Sequence, residues 1–129
     1  MATGSPVRYI YLDTMIQLFN KLERENLLKQ HGELLDLGCG NGRVSEPFFK
    51  YGYKTTLVDK DAKVLSEAES NFKKTKEDGV QTVNVSIEDF KFDEFYDGII
   101  ISNVLPFQTD KASIEKITRT AFSKLNKGG

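Results

Sequence analysis

The stretch Glu-Leu-Leu-Asp-Leu-Gly-Cys-Gly-Asn-Gly-Arg, residues 33–43, decides the fold of this chain. It predicts a short apolar strand, Leu34 to Leu37, followed directly by a glycine-rich turn and a helix. Glycines without side chains, which tolerate a positive φ or close approach of a ligand, alternate in the turn: Gly38, Gly40 and Gly42. Asp59 ends the next apolar run, about twenty residues later. In a doubly wound α/β fold, such a turn and carboxylate meet at the ends of two strands and bind an adenosine-containing ligand.

Composition restricts the class of protein. The 129 residues carry 18 basic and 19 acidic side chains, so the formal net charge is −1, and this balance predicts no nucleic-acid partner and no anionic membrane surface. The longest apolar stretches have the length of strands and predict no membrane span, and the N-terminus lacks the apolar core of a secretory signal. The single cysteine, Cys39, excludes an internal disulfide and fits a reducing compartment. We therefore expect a cytoplasmic protein.

Strand and helix patterns alternate along the chain and predict a mainly parallel sheet. We expect an N-terminal helical segment over residues 1–32 and one α/β domain over residues 33–129. The predicted elements are a helix from Tyr11 to about Gln30, strands at Leu34 to Leu37, Lys54 to Asp59, Gln81 to Ser86 and Asp97 to Ile101, and helices at Val44 to Lys50, Asp61 to about Lys76 and Asp110 to Leu125. Residues 88–96 are predicted to form a loop or a single turn.

The spacing of the glycines discriminates between nucleotides. A dinucleotide-binding turn has the pattern G-x-G-x-x-G, whereas here the pattern is G-x-G-x-G and Arg43 stands at the third position after Gly40. No Gly-Lys-Ser/Thr follows the turn, which disfavours a phosphate-binding P-loop. Binding of NAD remains a less favoured alternative.

Five segments, in order along the chain, resemble the motifs of the class I S-adenosylmethionine-dependent methyltransferases. They are Leu34 to Gly42, Leu57-Val58-Asp59, Ser86 to Phe92, Phe95-Tyr96-Asp97 and Leu125-Asn126-Lys127-Gly128-Gly129. Gly-Asn-Gly-Arg, with Gly52-Tyr53 and Val58-Asp59-Lys60, is similar to the tellurite-resistance (TehB-like) branch of that family. The resemblance implies a Rossmann-like, doubly wound fold with strand order 3-2-1-4 and S-adenosylmethionine as the cofactor.

The resemblance also assigns cofactor-binding roles to individual residues. Asp36 would accept a hydrogen bond from the methionine ammonium, directly or through water, and Asp59 would accept both ribose hydroxyls. Ser86 stands where the family often has an aspartate that accepts from the adenine amino group. The remaining assignments are backbone contacts at Gly38, Cys39, Gly40 and Lys60, adenine stacking at Ile87, and the methionine end at Ile101 and Ser102.

The acceptor is harder to identify. The family's Asn-Pro-Pro-Tyr motif for amide-type nitrogens is absent, and Ser102 to Phe107 stands in its place, which favours a small-molecule acceptor. Arg43 and Asn103 are candidate substrate contacts, and no catalytic base is evident. The acidic run over residues 88–94 has no His or Cys partner, so we expect no metal site.

The chain ends at the predicted turn before a fifth strand. We therefore expect an incomplete, truncated methyltransferase core, with a dimer or a partner chain covering the apolar fourth strand. The alternative function is a catalytically silent nucleotide-binding or interaction module.

Overall fold

The computed structural model describes residues 17–28, 31–101 and 111–126, and within them helices flank a four-stranded sheet. Helix α1 is described over residues 17–24. The other elements are β1 (Glu33–Leu37), α2 (Glu46–Tyr51), β2 (Lys54–Val58), α3 (Ala62–Thr75), β3 (Val80–Val83), a 3₁₀ turn (Ile87–Asp89), β4 (Gly98–Ile101) and α4 (Lys111–Ser123). No helix among these residues is long and apolar enough to cross a bilayer.

The sheet confirms the predicted fold class and strand order. Its order is β3-β2-β1-β4, and every pair is parallel. Val58 pairs with Leu37 on one side and with Val83 on the other, so β1, β2 and β3 end level with one another. The loops that follow these strands therefore meet at one edge of the sheet, which is where doubly wound folds bind ligands.

The alternation of side chains along β1 sends its residues into cores on opposite faces of the sheet. Leu35 and Leu37 pack in a cluster with Ile117 of α4, whereas Leu34 packs in a cluster with Phe19 of α1. A third cluster, formed by Phe49, Leu57, Leu65, Ala68 and Phe72, joins α2, β2 and α3. Because β1 is covered on both faces, its sequence is almost continuously apolar.

Helix α1 ends earlier than the predicted limit near Gln30. Asn26 adopts a left-handed conformation with φ 58°, the Leu27 N–H donates to the Leu22 carbonyl at 2.9 Å, and the Asn26 N–H donates to the Glu23 carbonyl at 3.0 Å. This pair of bonds is the Schellman arrangement that closes a helix C-terminus. The helix therefore stops before Asn26, and the predicted part before residue 17 lies outside the described residues.

Strand β3 is also shorter than predicted, since it ends at Val83 and not at Ser86. Strand β2 ends at Val58, and one residue later the Asp59 N–H donates to the Val83 carbonyl at 3.3 Å. Asn84 then turns its side-chain amide to the Asp59 carbonyl at 3.0 Å. With no further partner strand beside them, residues 84–86 form a loop at the carboxyl edge of the sheet.

Helix α2 begins at Glu46, two residues after its predicted start. Pro47 occupies its first turn, where the missing N–H costs no hydrogen bond. In a dinucleotide-binding fold, the third glycine of the motif allows the helix to pack tightly. Here Gly42, which stands one residue before that position, allows the tight packing. A Cβ at Gly42 would lie 2.7 Å from Cε1 of Phe72 in α3, and Arg43 is exposed.

The chain returns beside β4 after α4. The Tyr96 N–H donates to the Lys124 carbonyl at 2.8 Å, and the Asn126 N–H donates to the Tyr96 carbonyl at 2.7 Å. These bonds form a parallel bridge between Tyr96 and Leu125, immediately before β4. Along β4 itself, the described residues provide a partner strand only on the β1 side.

Candidate functional site

The glycine turn and the end of β2 are joined by the Asp59 carboxylate. Its Oδ2 accepts from the Gly40 N–H at 2.9 Å, and its Oδ1 accepts from the Asp61 N–H at 2.9 Å. On the other side of the turn, the N–H groups of Gly38 and Cys39 both donate to the Val58 carbonyl, at 2.8 and 3.0 Å. The turn predicted from β1 and the carboxylate predicted from β2 thus meet in the folded chain.

All three glycines of the turn have a positive φ, one of the two uses that the absence of a side chain allows. The φ angles are 71° at Gly38, 55° at Gly40 and 81° at Gly42. Because a side chain would strain this conformation, glycine is the residue that forms the turn at least cost.

A cleft of about 480 Å³ opens at this edge of the sheet. Its wall includes Gly38, Gly40 and Asp59 from the ends of β1 and β2. It also includes Ser86 and Ile87 from the loop after β3. Lys60 lines the same cleft, so the structure brings together six of the predicted cofactor residues. The size is that of a site for a nucleoside-sized ligand.

Asp36 lies at the centre of the sheet, and its burial is complete. None of its surface is exposed, and neither carboxylate oxygen has a hydrogen-bond partner among the described residues. Burial raises the pKa of Asp36 from 3.8 to about 7, opposed in part by the nearby Ser45 hydroxyl and supported by the negative charge of Asp59. A buried carboxylate without a partner is expensive, so it marks a place where a donor or cation is needed.

Ser86 is held by a neighbour that the sequence analysis did not identify. Its hydroxyl donates to Oδ2 of Asp89 at 3.0 Å, and both residues line the cleft. Ile87 begins the 3₁₀ turn between them and is buried, with 8% of its surface exposed. An apolar side chain and two oxygen acceptors therefore adjoin one another in this wall.

Other predicted site residues do not line the cleft wall, and the buried Asp36 is one of them. Cys39 is buried in the cluster with Leu65 and Phe72, and burial raises the pKa of its thiol, which agrees with a small turn residue and not a nucleophile. Arg43 is exposed, and Ile101 packs in the cluster beneath α4. The predictions for Ser102 and Asn103 concern residues outside the described ranges. The described residues contain no group of three His, Cys, Asp or Glu side chains placed to hold a metal.

The cleft also contains residues that sequence analysis missed. Val64 is half-buried and lines the cleft, because it lies in the first turn of a helix that begins at the cleft. Asp61 caps that helix, accepting from the N–H groups of Lys63 and Val64 at 3.0 and 3.2 Å. The position of Asp89 three residues after Ser86 is a signal in the sequence that could have indicated their hydrogen bond.

Comparison with known proteins identifies the relatives of this chain. Residues 34–129 match the family model described as "Methyltransferase domain". The ubiquinone biosynthesis O-methyltransferase of Rickettsia felis is 32% identical over 75 residues, which cover 57% of this chain and 30% of the relative. The chain thus spans less than a third of the length of this relative.

Solved structures show the same fold. The N-methyltransferase NodS of Bradyrhizobium japonicum aligns with a TM-score of 0.72 at 17% identity, over 97% of this chain and 66% of that chain. A TehB-like SAM-dependent methyltransferase of Corynebacterium glutamicum aligns with a TM-score of 0.66 at 16% identity, over 93% of this chain and 70% of that chain. At these identities the likeness establishes the fold and does not distinguish branches.

Proposed function

Because the chain belongs to the methyltransferase-domain family, whose class I members use S-adenosylmethionine, we propose that its cleft binds S-adenosylmethionine for transfer of a methyl group. The observation that carries the proposal is the contact of Asp59 with the Gly40 N–H, at the edge where β1 and β2 end side by side. This contact places a carboxylate and a bare backbone on the same cleft, as binding of an adenosine requires.

Asp59 has the capacity for the proposed ribose contact. Each of its oxygens accepts one backbone N–H, and each retains a lone pair for a ribose hydroxyl. The two backbone bonds hold the carboxylate in a fixed orientation before any ligand arrives. Such preorganisation reduces the entropy that binding must overcome.

We propose that Asp36, which lies buried behind the glycine turn at the end of β1, binds the cationic part of the same ligand. Its unpartnered carboxylate would gain a charge-assisted hydrogen bond from the methionine ammonium, directly or through a water molecule. We propose that this contact orients the methionine end, while Gly38 and Gly40 allow backbone to lie along it. Ser86 and Ile87 would receive the adenine.

When bound, S-adenosylmethionine supplies a methyl group attached to a sulfonium sulfur. On transfer, the sulfur keeps the electrons of the broken C–S bond and becomes a neutral thioether. The domain then has to orient the donor and exclude water, and it needs a base only for an acceptor that arrives protonated. We propose a small-molecule acceptor, and the name of the Rickettsia relative favours an oxygen nucleophile. The assignments of Arg43 and Asn103 to the acceptor, of Ile101 and Ser102 to the methionine end, and of the chain to the TehB-like branch stay predictions.

Two measurements distinguish a methyltransferase from a catalytically silent module. Titration calorimetry with S-adenosylmethionine and S-adenosylhomocysteine measures binding, and transfer of a labelled methyl group to phenolic and amine acceptors measures activity. Binding without transfer to any acceptor would favour the silent module. Binding of NAD in preference to both ligands would contradict the proposed function.

Asp59 provides the residue-level test. Asp59→Asn keeps one acceptor oxygen but loses the charge, and we expect S-adenosylhomocysteine to bind more weakly by about 1–3 kcal/mol. The control is Asp93→Asn, which removes an exposed carboxylate that does not line the cleft. Thermal unfolding of both variants checks that the turn remains folded. Equal affinity of Asp59→Asn and the wild type would remove the ribose assignment.

Two further expectations remain proposals. We propose that another strand, from a second copy or a partner chain, covers the side of β4 that faces away from β1, and light scattering at several concentrations measures the assembly.

We also keep the cytoplasm as the proposed location, which subcellular fractionation tests.

A further inference from the structure

We propose that Asp89 is a positioning residue that makes the cleft selective for a 6-aminopurine, acting through the hydroxyl of Ser86. This inference rests on the proposed function, since it concerns the purine end of the same ligand. Neither the sequence motifs nor the family match assigns a role to Asp89.

Two hydrogen bonds join Ser86 and Asp89. The Ser86 hydroxyl donates to Oδ2 of Asp89 at 3.0 Å, while the Asp89 N–H donates back to the Ser86 carbonyl at 3.1 Å. The residues stand at the two ends of the single 3₁₀ turn, so their separation is fixed by the backbone. Both line the cleft, next to the buried Ile87.

The direction of the hydrogen bond decides what the pair offers to a ligand. A carboxylate is an acceptor only, so the Ser86 proton points to Asp89. The Ser86 oxygen then presents lone pairs, and the Asp89 carboxylate adds more. A purine with a 6-amino group donates to these acceptors, whereas a purine with a 6-oxo group brings its own lone pairs against them.

The test compares two ligands that differ in this one group. Affinities for S-adenosyl-L-homocysteine and S-inosyl-L-homocysteine are measured by titration calorimetry on the full chain. We expect the wild type to prefer the adenosyl ligand by about tenfold or more, because the acceptors would be left unpaired by a 6-oxo group.

Asp89→Ala removes the acceptor to which the Ser86 hydroxyl donates. The alanine side chain accepts no hydrogen bond, so the serine proton is free for the ligand. We expect the adenosyl-to-inosyl preference to fall by about tenfold, mostly through weaker binding of the adenosyl ligand. Asp93→Asn, which removes the same charge from an exposed position in the following loop, should leave the preference unchanged.

A double-mutant cycle distinguishes positioning from direct contact. In a Ser86→Ala background, Asp89→Ala should change the preference much less, because the hydroxyl through which Asp89 acts is gone. An equal change in both backgrounds, or no change in either, would overturn the role of Asp89 and leave the proposed function intact. Failure of the wild type to bind either ligand would overturn both.

Discussion

Asp36→Asn should remove a large pH dependence from the free energy of unfolding. In the folded chain the Asp36 carboxyl is fully buried and has no described hydrogen-bond partner, and burial raises its pKa from 3.8 to about 7. The unfolded chain therefore releases this proton at a lower pH than the folded chain does. Stability contributed by the neutral carboxyl is complete below about pH 4 and is lost as the pH rises toward 7.

The magnitude follows from the separation of the two pKa values. A difference of about three pH units, at about 1.4 kcal/mol per unit, is worth about 4 kcal/mol in total. About 2.5 kcal/mol of this loss falls between pH 5 and pH 8, because the unfolded group is ionised there and the folded group keeps its proton until the pH passes about 7. Asparagine has a similar shape and does not titrate, so the difference between the wild type and Asp36→Asn isolates this residue from all other ionisations.

The measurement is urea unfolding of both proteins, followed by circular dichroism at pH 5, 6, 7 and 8. Relative to Asp36→Asn, the wild type should lose most of this stability between pH 5 and pH 7 and much less between pH 7 and pH 8. Asp93→Asn serves as the control, because its carboxylate is exposed. A difference between the wild type and Asp36→Asn that stays constant within about 0.5 kcal/mol over this range would refute the argument that the group is buried without a partner.

Three other outcomes are expected. Affinity for S-adenosylhomocysteine, measured by calorimetry, should increase by up to about tenfold from pH 6 to pH 8, because the ammonium requires ionised Asp36, and Asp36→Asn should abolish the increase. Gly42→Ala should lower the free energy of unfolding in urea by about 2–4 kcal/mol, since φ is 81° and the new Cβ would lie 2.7 Å from Phe72. Gly52→Ala is the control and should lower it less, because φ is 133° but the space around the new Cβ is open. Cys39 should react slowly with iodoacetamide at pH 8 until urea unfolds the chain, because burial raises the pKa of its thiol; rapid labelling of the folded chain would contradict this burial.

Much of the fold could be predicted from local patterns. The order of strands and helices follows from runs such as Leu34 to Leu37, because a fully covered parallel strand must be apolar throughout. Asp61 was predicted at the start of α3, and it caps that helix with two hydrogen bonds. Boundaries were predicted less well where the limit depends on a partner, as at β3, which ends where β2 stops pairing with it.

The candidate site likewise has some features that the sequence predicts and others that it does not. The glycine turn and Asp59 were identifiable because backbone geometry demands glycine and because parallel strands bring their carboxyl ends to one edge. The orientation of Val64 toward the cleft, and the missing partner of Asp36, could not be predicted, since both depend on what surrounds a side chain.

The amino-acid sequence by itself determined the alternation of strands and helices, the position of the bare turn and the family of the chain. These properties arise from residues close together in the chain, whose conformational preferences act before any distant contact forms. Tertiary structure alone decided that Gly42 packs on Phe72 and that Asp36 is enclosed. Each depends on how separate elements pack, and burial changes the energy of a charge only after that packing is complete.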